Sequence, residues 1–181
     1  MEKRVKSPAM TTVIADTTIS SPVFDALTPE NVLKNVFGYD EFRDGQGDVI
    51  HHVCKGGDAL VLLPTGGGKS MCYQIPALIR AGTGIVVSPL ISLMQDQVEQ
   101  LKALGVKAAY LNSTLSQEEQ ASISEQMVSN QLDLLYVSPE RLLQFGFQQT
   151  LRTTDVAVFA IDEAHCVSHW GHDFRHDYRA L

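Results

Sequence analysis

The stretch DALVLLPTGGGKS, residues 58 to 70, constrains this chain more than any other. An apolar run breaks into Pro64-Thr65-Gly66-Gly67-Gly68 and ends on Lys69-Ser70. Residues 59 to 63 have the character of a strand buried on both faces, and the glycines let backbone N–H groups come close to a polyphosphate. A helix is expected at once after the loop, where unpaired N–H groups and the helix dipole favour an anion. In that geometry the backbone from Thr65 through Gly66, Gly67 and Gly68 cradles phosphates, Lys69 reaches the β- and γ-phosphates, and the Ser70 hydroxyl faces Mg²⁺. The common pattern G-x-x-x-x-G-K-[ST] would have its first glycine at position 63, which is Leu63 here. A glycine-rich turn with a surface lysine is the plain alternative.

The rest of the chain supplies the setting such a loop needs. Apolar runs at 59–63, 84–88, 106–111, 132–138 and 156–162 alternate with helical patterns near 70–79, 92–104, 116–128 and 139–148. Thr28-Pro29-Glu30 predicts a capped helix start that Gly38 stops, and Ser116 with Glu119 forms a capping-box signature. Alternation of this kind predicts an α/β fold, a parallel β-sheet with helices on both faces. Ligands of such sheets bind beyond the carboxyl ends of the strands. Residues 1–26, rich in Ser and Thr, read as a tail, so the domain is expected over 27–181.

Composition narrows the function classes. A formal net charge of −7 argues against nucleic-acid binding by bulk electrostatics and leaves room for a local groove. Cys54, Cys72 and Cys166 are scattered and odd in number, which indicates neither a disulfide framework nor a cysteine zinc site, and fits a reduced cytoplasm. No apolar run approaches the roughly 18 residues of a membrane span.

The run 156–161 delivers Asp162-Glu163-Ala164-His165 at its carboxyl end. An Asp after a buried strand can hold Mg²⁺ opposite the loop serine, and a neighbouring Glu can orient and deprotonate an attacking water. An ordinary strand-to-helix turn would spell the same four letters, but two carboxylates downstream of a phosphate loop suit phosphoryl transfer to water.

With these residues in place, LPTGGGKS at 63–70, VSPLISLMQDQ at 87–97, VSPERL at 137–142 and DEAHC at 162–166 resemble motifs I, Ia, Ib and II of the superfamily 2 helicases, and closely the RecQ DNA helicases. That superfamily writes its loop as PTGGGKS, which accounts for Leu63. FGYDEFRDGQ at 37–46 resembles the RecQ motif 0, which implies Tyr39, Arg43 and Gln46 around an adenine. SHWGHDFR at 168–175 resembles the RecQ aromatic-rich loop, which implies that Trp170, His172, Phe174 and Arg175 sense single-stranded DNA. The resemblance covers about residues 27 to 181 and implies a RecA-like P-loop domain, the first of two, incomplete before motif III. It implies ATP and Mg²⁺ as cofactors, with Lys69, Asp162, Glu163 and His165 in hydrolysis and Ser70 and Asp162 at the metal. DNA is the implied partner, with unwinding in the 3′-to-5′ direction and a role in recombination and repair.

Physical chemistry gives these stretches sense beside the resemblance. A ring, a guanidinium and an amide suit a purine, although helix-end packing and a solvated charge are equally ordinary uses of Tyr39 and Arg43. Trp170 and Phe174 beside Arg175 combine stacking surface with a phosphate-neutralising charge, whereas such rings on their own more often fill a core. Ser88 and Ser138, each before Pro and after a strand, and Arg141 are candidate DNA phosphate contacts or simple helix caps. The family usually has Pro at positions 44 and 176 and Gln at 169, where this chain has Asp44, His176 and His169. With His165 and His172, these histidines raise zinc as a further reading. The 181 residues alone are expected to bind Mg-ATP, to hydrolyse it very slowly and to unwind nothing, with a non-catalytic nucleotide-binding module as the alternative.

Overall fold

Thr28 accepts a hydrogen bond from the Asn31 N–H at 3.3 Å and Pro29 takes the first helical position, so α1 spans Pro29–Asn35 as the sequence predicts. The computed structural model describes residues 27–64 and 66–167. The tail reading for 1–26, Thr65, and Trp170, His172, Phe174 and Arg175 with the two unusual histidines lie outside the described residues.

Two helices precede the sheet, α2 (Gln46–Cys54) and α3 (Met71–Ile79), and pack with α1 around Val32, Leu33, Ile50, Cys72 and Ile75. Four parallel strands follow: β1 (Thr83–Val87), β2 (Ala108–Leu111), β3 (Leu134–Val137) and β4 (Val156–Ile161), in the order β2-β3-β1-β4. Between them run α4 (Ile91–Ala103), α5 (Gln117–Val128), α6 (Pro139–Leu142) and α7 (Phe145–Arg152). Alternate strand residues point to opposite faces, and each face has its own helices. Ile85, Val87, Leu111, Leu135 and Val137 meet Met127, Leu142 and Phe147 of α5, α6 and α7. Val86, Ala108, Leu134 and Tyr136 meet Tyr73 and Ala77 of α3 and Met94, Val98 and Leu101 of α4. The predicted α/β layering, with helices on both faces, is thus present. Ser116 and Glu119 exchange the reciprocal bonds of a capping box at the start of α5.

Two expectations need correction. Residues 59 to 63 form no strand. Val61 and Leu63 pack on the α1–α3 cluster, while Leu60 and Leu62 are 83% and 86% exposed. A strand must sit about 4.8 Å from a partner to share backbone hydrogen bonds. Here a cavity of about 740 Å³ lined by both 59–63 and β4 takes that place. β4 pairs with β1 along one edge, and its Phe159 and Ile161, in register with buried Ile85 and Val87, remain 48% and 40% exposed. The helix predicted over 139–148 is two helices, because Leu143 still bonds back to Pro139 O at 3.1 Å but Gln144 turns extended and restarts the chain at Phe145.

Met127 is the one buried residue of α5 and is fully enclosed by the sheet face. Met127→Ala is expected to cost about 2–5 kcal/mol in urea unfolding, against less than about 0.5 kcal/mol for the neighbouring exposed Val128→Ala. Equal effects would contradict this packing.

Candidate functional site

The parallel sheet brings its carboxyl ends to one edge, and backbone bonds lock the residues there. Asp162 N–H donates to Val87 O at 2.9 Å, Ser88 N–H to Val137 O at 3.0 Å, and Ser138 N–H to Leu111 O at 3.2 Å. Asp162, Ser88, Ser138 and Asn112 therefore stand one residue past the paired positions of β4, β1, β3 and β2.

The phosphate-loop candidate sits beside this edge. Gly66 and Gly68 take positive φ, and a Cβ at Gly68 would collide with the Gln46 side chain, so both backbone sign and space require glycine there. Gln46, 3% exposed, donates from Nε2 to Gly68 O at 2.9 Å and Gly67 O at 3.2 Å, and accepts from Arg43 N–H at 2.8 Å. The Arg43 guanidinium donates to Gly66 O. Two of the three residues implied to surround adenine thus grip the loop itself, a function that residue type alone does not reveal. Tyr39 is 52% exposed near the end of α1 and takes no part in these hydrogen bonds, so the loop grip joins Arg43 and Gln46 without it. The Lys69 ammonium donates to Leu63 O at 3.0 Å and Pro64 O at 3.5 Å. Ser70 leads straight into α3 without capping it through its side chain.

Lys69, Asp162 and Glu163 line one cavity. Glu163 adopts a left-handed φ of 52°, and its N–H donates to Asp162 Oδ1 at 2.9 Å. Tyr73 Oη donates to Asp162 Oδ2 at 3.4 Å. Burial pushes the Asp162 carboxyl above its ordinary pKa; the Glu163 N–H bond, Tyr73 and the Lys69 charge oppose that, and the Glu163 charge adds to it. Among the described residues no three His, Cys, Asp or Glu side chains converge on a common point. A carboxylate, a second beside it and a serine hydroxyl are oxygen donors that suit Mg²⁺, which binds through one or two carboxylates and phosphate oxygens and keeps waters. His165 falls in a short 3-10 turn, Ala164–Val167, and its side chain is outside the described residues, as is any zinc reading built on it.

The predicted DNA contacts divide. Ser138 caps α6 by accepting from Arg141 N–H at 3.3 Å, the bland reading of that serine. The Arg141 guanidinium donates to Gln120 Oε1 at 2.9 Å and Gln144 Oε1 at 2.7 Å, and lies 5.7 Å from the Phe147 ring centre. Ser88 is 1% exposed, with no partner for its hydroxyl. Sequence reasoning missed Asn112, buried in the same row, which accepts from Thr114 and leaves its amide nitrogen unpartnered. A polar residue directly after an apolar strand was the available signal.

The family model for the DEAD/DEAH box helicase matches residues 43–181. The chain belongs to that family. Over 166 residues it is 51% identical to the ATP-dependent DNA helicase RecQ of Haemophilus influenzae, covering 92% of this chain and 27% of that protein. Over 153 residues it is 49% identical to the ATP-dependent DNA helicase RecQ of Bacillus subtilis, covering 84% and 26%. The chain thus spans about a quarter of the length of these RecQ relatives. A crystal structure described as a hypothetical ATP-dependent RNA helicase from Sulfolobus tokodaii superposes with a TM-score of 0.65 at 24% identity, over 84% of this chain and 46% of that one, and supports the fold. The RecQ resemblance carried by the motifs agrees with these relatives. No helix of the described residues is long and apolar enough to cross a membrane.

A carboxyl with its folded pKa above the unfolded one is a charge the fold disfavours. The penalty is present at neutral pH and disappears as pH falls through the folded value to below the unfolded one, about 3.9. Asp162→Asn is therefore expected to raise the thermal midpoint of the nucleotide-free protein at pH 7, with the gap closing on acidification. A midpoint unchanged or lowered at pH 7 would contradict the burial of this charge.

Proposed function

We propose that this chain is the first of two RecA-like motor domains of an ATP-dependent DNA helicase of RecQ type, which unwinds in the 3′-to-5′ direction in DNA recombination and repair. The observation that carries the reading is one cavity edged by Lys69, Asp162 and Glu163, in a chain about half identical to proteins named RecQ helicases. Lys69 leaves the loop carbonyls to meet the β- and γ-phosphates, and the loop N–H groups from Thr65 to Gly68 bind them. Ser70 and Asp162 would hold Mg²⁺, which when bound neutralises charge on the transferring phosphoryl group. Glu163 orients the attacking water and takes its proton, and His165 acts beside it. Tyr39 and Arg43 face the adenine, while Gln46 ties that pocket to the phosphate loop through the carbonyls it binds.

DNA runs along the carboxyl edge past Ser88 and Ser138, with Arg141 as a nearby cation and Trp170, His172, Phe174 and Arg175 as the sensing loop. A second RecA-like domain supplies the opposing wall and an arginine, typically a factor of about 10³–10⁵ in rate, so the 181 residues alone bind Mg-ATP and turn it over slowly.

In the full-length protein Lys69→Ala is expected to lower DNA-stimulated ATP turnover by at least about 10²-fold. Unchanged turnover would remove Lys69 from the phosphate site. Trp170→Ala is expected to weaken stimulation by single-stranded DNA while nucleotide affinity stays near the parent's, and equal loss of both would mark a packing role.

A further inference from the structure

A chain of contacts, hydrogen bonds at both ends and an aromatic pair between them, runs through the core from the carboxyl edge of the sheet to α4. Tyr73 Oη donates to Asp162 Oδ2 at 3.4 Å, and the Tyr73 ring meets the Tyr136 ring edge-on, with centroids 6.4 Å apart. Gln74 Nε2 donates to Tyr136 Oη at 3.0 Å and to Gln97 Oε1 at 2.8 Å. Tyr136 and Gln74 are fully buried and Tyr73 is nearly so. Each hydroxyl has one proton to give. Tyr73 gives its proton to Asp162, Gln74 holds the Tyr136 oxygen in place, and the edge-on ring contact joins the two phenols. Burial raises the Tyr73 phenol well above its ordinary pKa and pushes Tyr136 up to about 12, so both keep their protons at neutral pH.

Packing alone does not account for these residue types. Phenylalanine at 73 and 136 and a hydrocarbon at 74 would fill the same space without any polar group to satisfy. What the polar atoms add is a hold at each end of the aromatic pair. One end is Asp162. The other is Gln97, half-buried on α4, the helix that follows Ser88-Pro89-Leu90 at the sheet edge. Between them Tyr136 stands two residues before Ser138 in the strand that leads to the same edge.

We infer that Tyr73 is a positioning residue for Asp162, and that the chain Gln97–Gln74–Tyr136–Tyr73 ties the orientation of that carboxylate to the placement of α4. The inference rests on the assignment of Asp162 to the metal side of the nucleotide site. At 3.4 Å the Tyr73 bond is long for O–H···O, with room to tighten when the carboxylate is drawn into a bound state. Movement of α4 as the 88–90 turn engages nucleic acid alters the Gln97–Gln74 bond, and the rotation passes through two phenols to Asp162. The link is mechanical and needs no change of protonation.

The test uses the full-length protein with a non-hydrolysable ATP analogue, Mn²⁺ as the probe, and electron paramagnetic resonance to count bound ion. Tyr73→Phe is expected to weaken Mn²⁺ binding by about tenfold, the scale on which loss of a ligand's supporting bond acts. Gln97→Leu, remote from the ion, is expected to weaken it by about threefold. The double variant is expected to bind no more weakly than Tyr73→Phe alone, because both changes break one chain. Asp162→Asn is the reference. If it weakens Mn²⁺ binding while Tyr73→Phe does not, the inference falls and the site assignment stands. If Asp162→Asn itself has no effect, the site assignment falls. Additive losses in the double variant overturn the connection to α4. Should Tyr73→Phe fail to fold, Gln97→Leu decides alone, and parental Mn²⁺ affinity in that variant overturns the inference.

Discussion

The backbone hydrogen bonds that close the carboxyl edge of the sheet are the constraint on which the rest depends. Parallel pairing aligns the ends of β2, β3, β1 and β4, and one further N–H···O bond past each pair fixes Ser138, Ser88 and Asp162 in a row. The apolar strand bodies hold that row still by burial between two helical layers. Chemistry-bearing residues far apart in sequence therefore meet without any of them contributing to the core.

Against this fixed edge the chain places two arrangements that cost stability. The glycine-rich loop takes positive φ at Gly66 and Gly68 and is held there by Arg43, from before α2, and Gln46, at its start, so its shape is set in advance. Asp162 is kept as a part-desolvated carboxylate next to Glu163, itself in a left-handed conformation. Strain and buried charge of this kind persist where the surrounding structure over-determines them, which here means the sheet edge on one side and the Tyr73–Tyr136 pair on the other.

Much of this was legible in the residues. Thr28-Pro29 and Ser116 with Glu119 announced two helix starts because capping is a local interaction. The four strands were legible because β1 and β3 are buried throughout and read as continuous apolar runs. Residues 59 to 63 read the same way, yet only Val61 and Leu63 are covered, since pairing depends on a partner that the run itself does not specify. The division of 139–148 into two helices turns on the backbone at Gln144, where no Gly or Pro marks the break. Gln46, Tyr73, Gln74 and Tyr136 were invisible as a set, because their contacts join positions tens of residues apart, as in the 89-residue separation of Tyr73 and Asp162.

The central claim is that the loop at 64–70 and Asp162-Glu163 form two sides of one nucleotide site. A crystal structure of the full-length protein with Mg²⁺ and a non-hydrolysable ATP analogue tests it most directly. The account predicts phosphate density inside the loop, the Lys69 ammonium moved from the Leu63 and Pro64 carbonyls to within about 3 Å of phosphate oxygen, and the ion on the Asp162 side. Lys69 still bound to those carbonyls, with the nucleotide seated elsewhere, would contradict it.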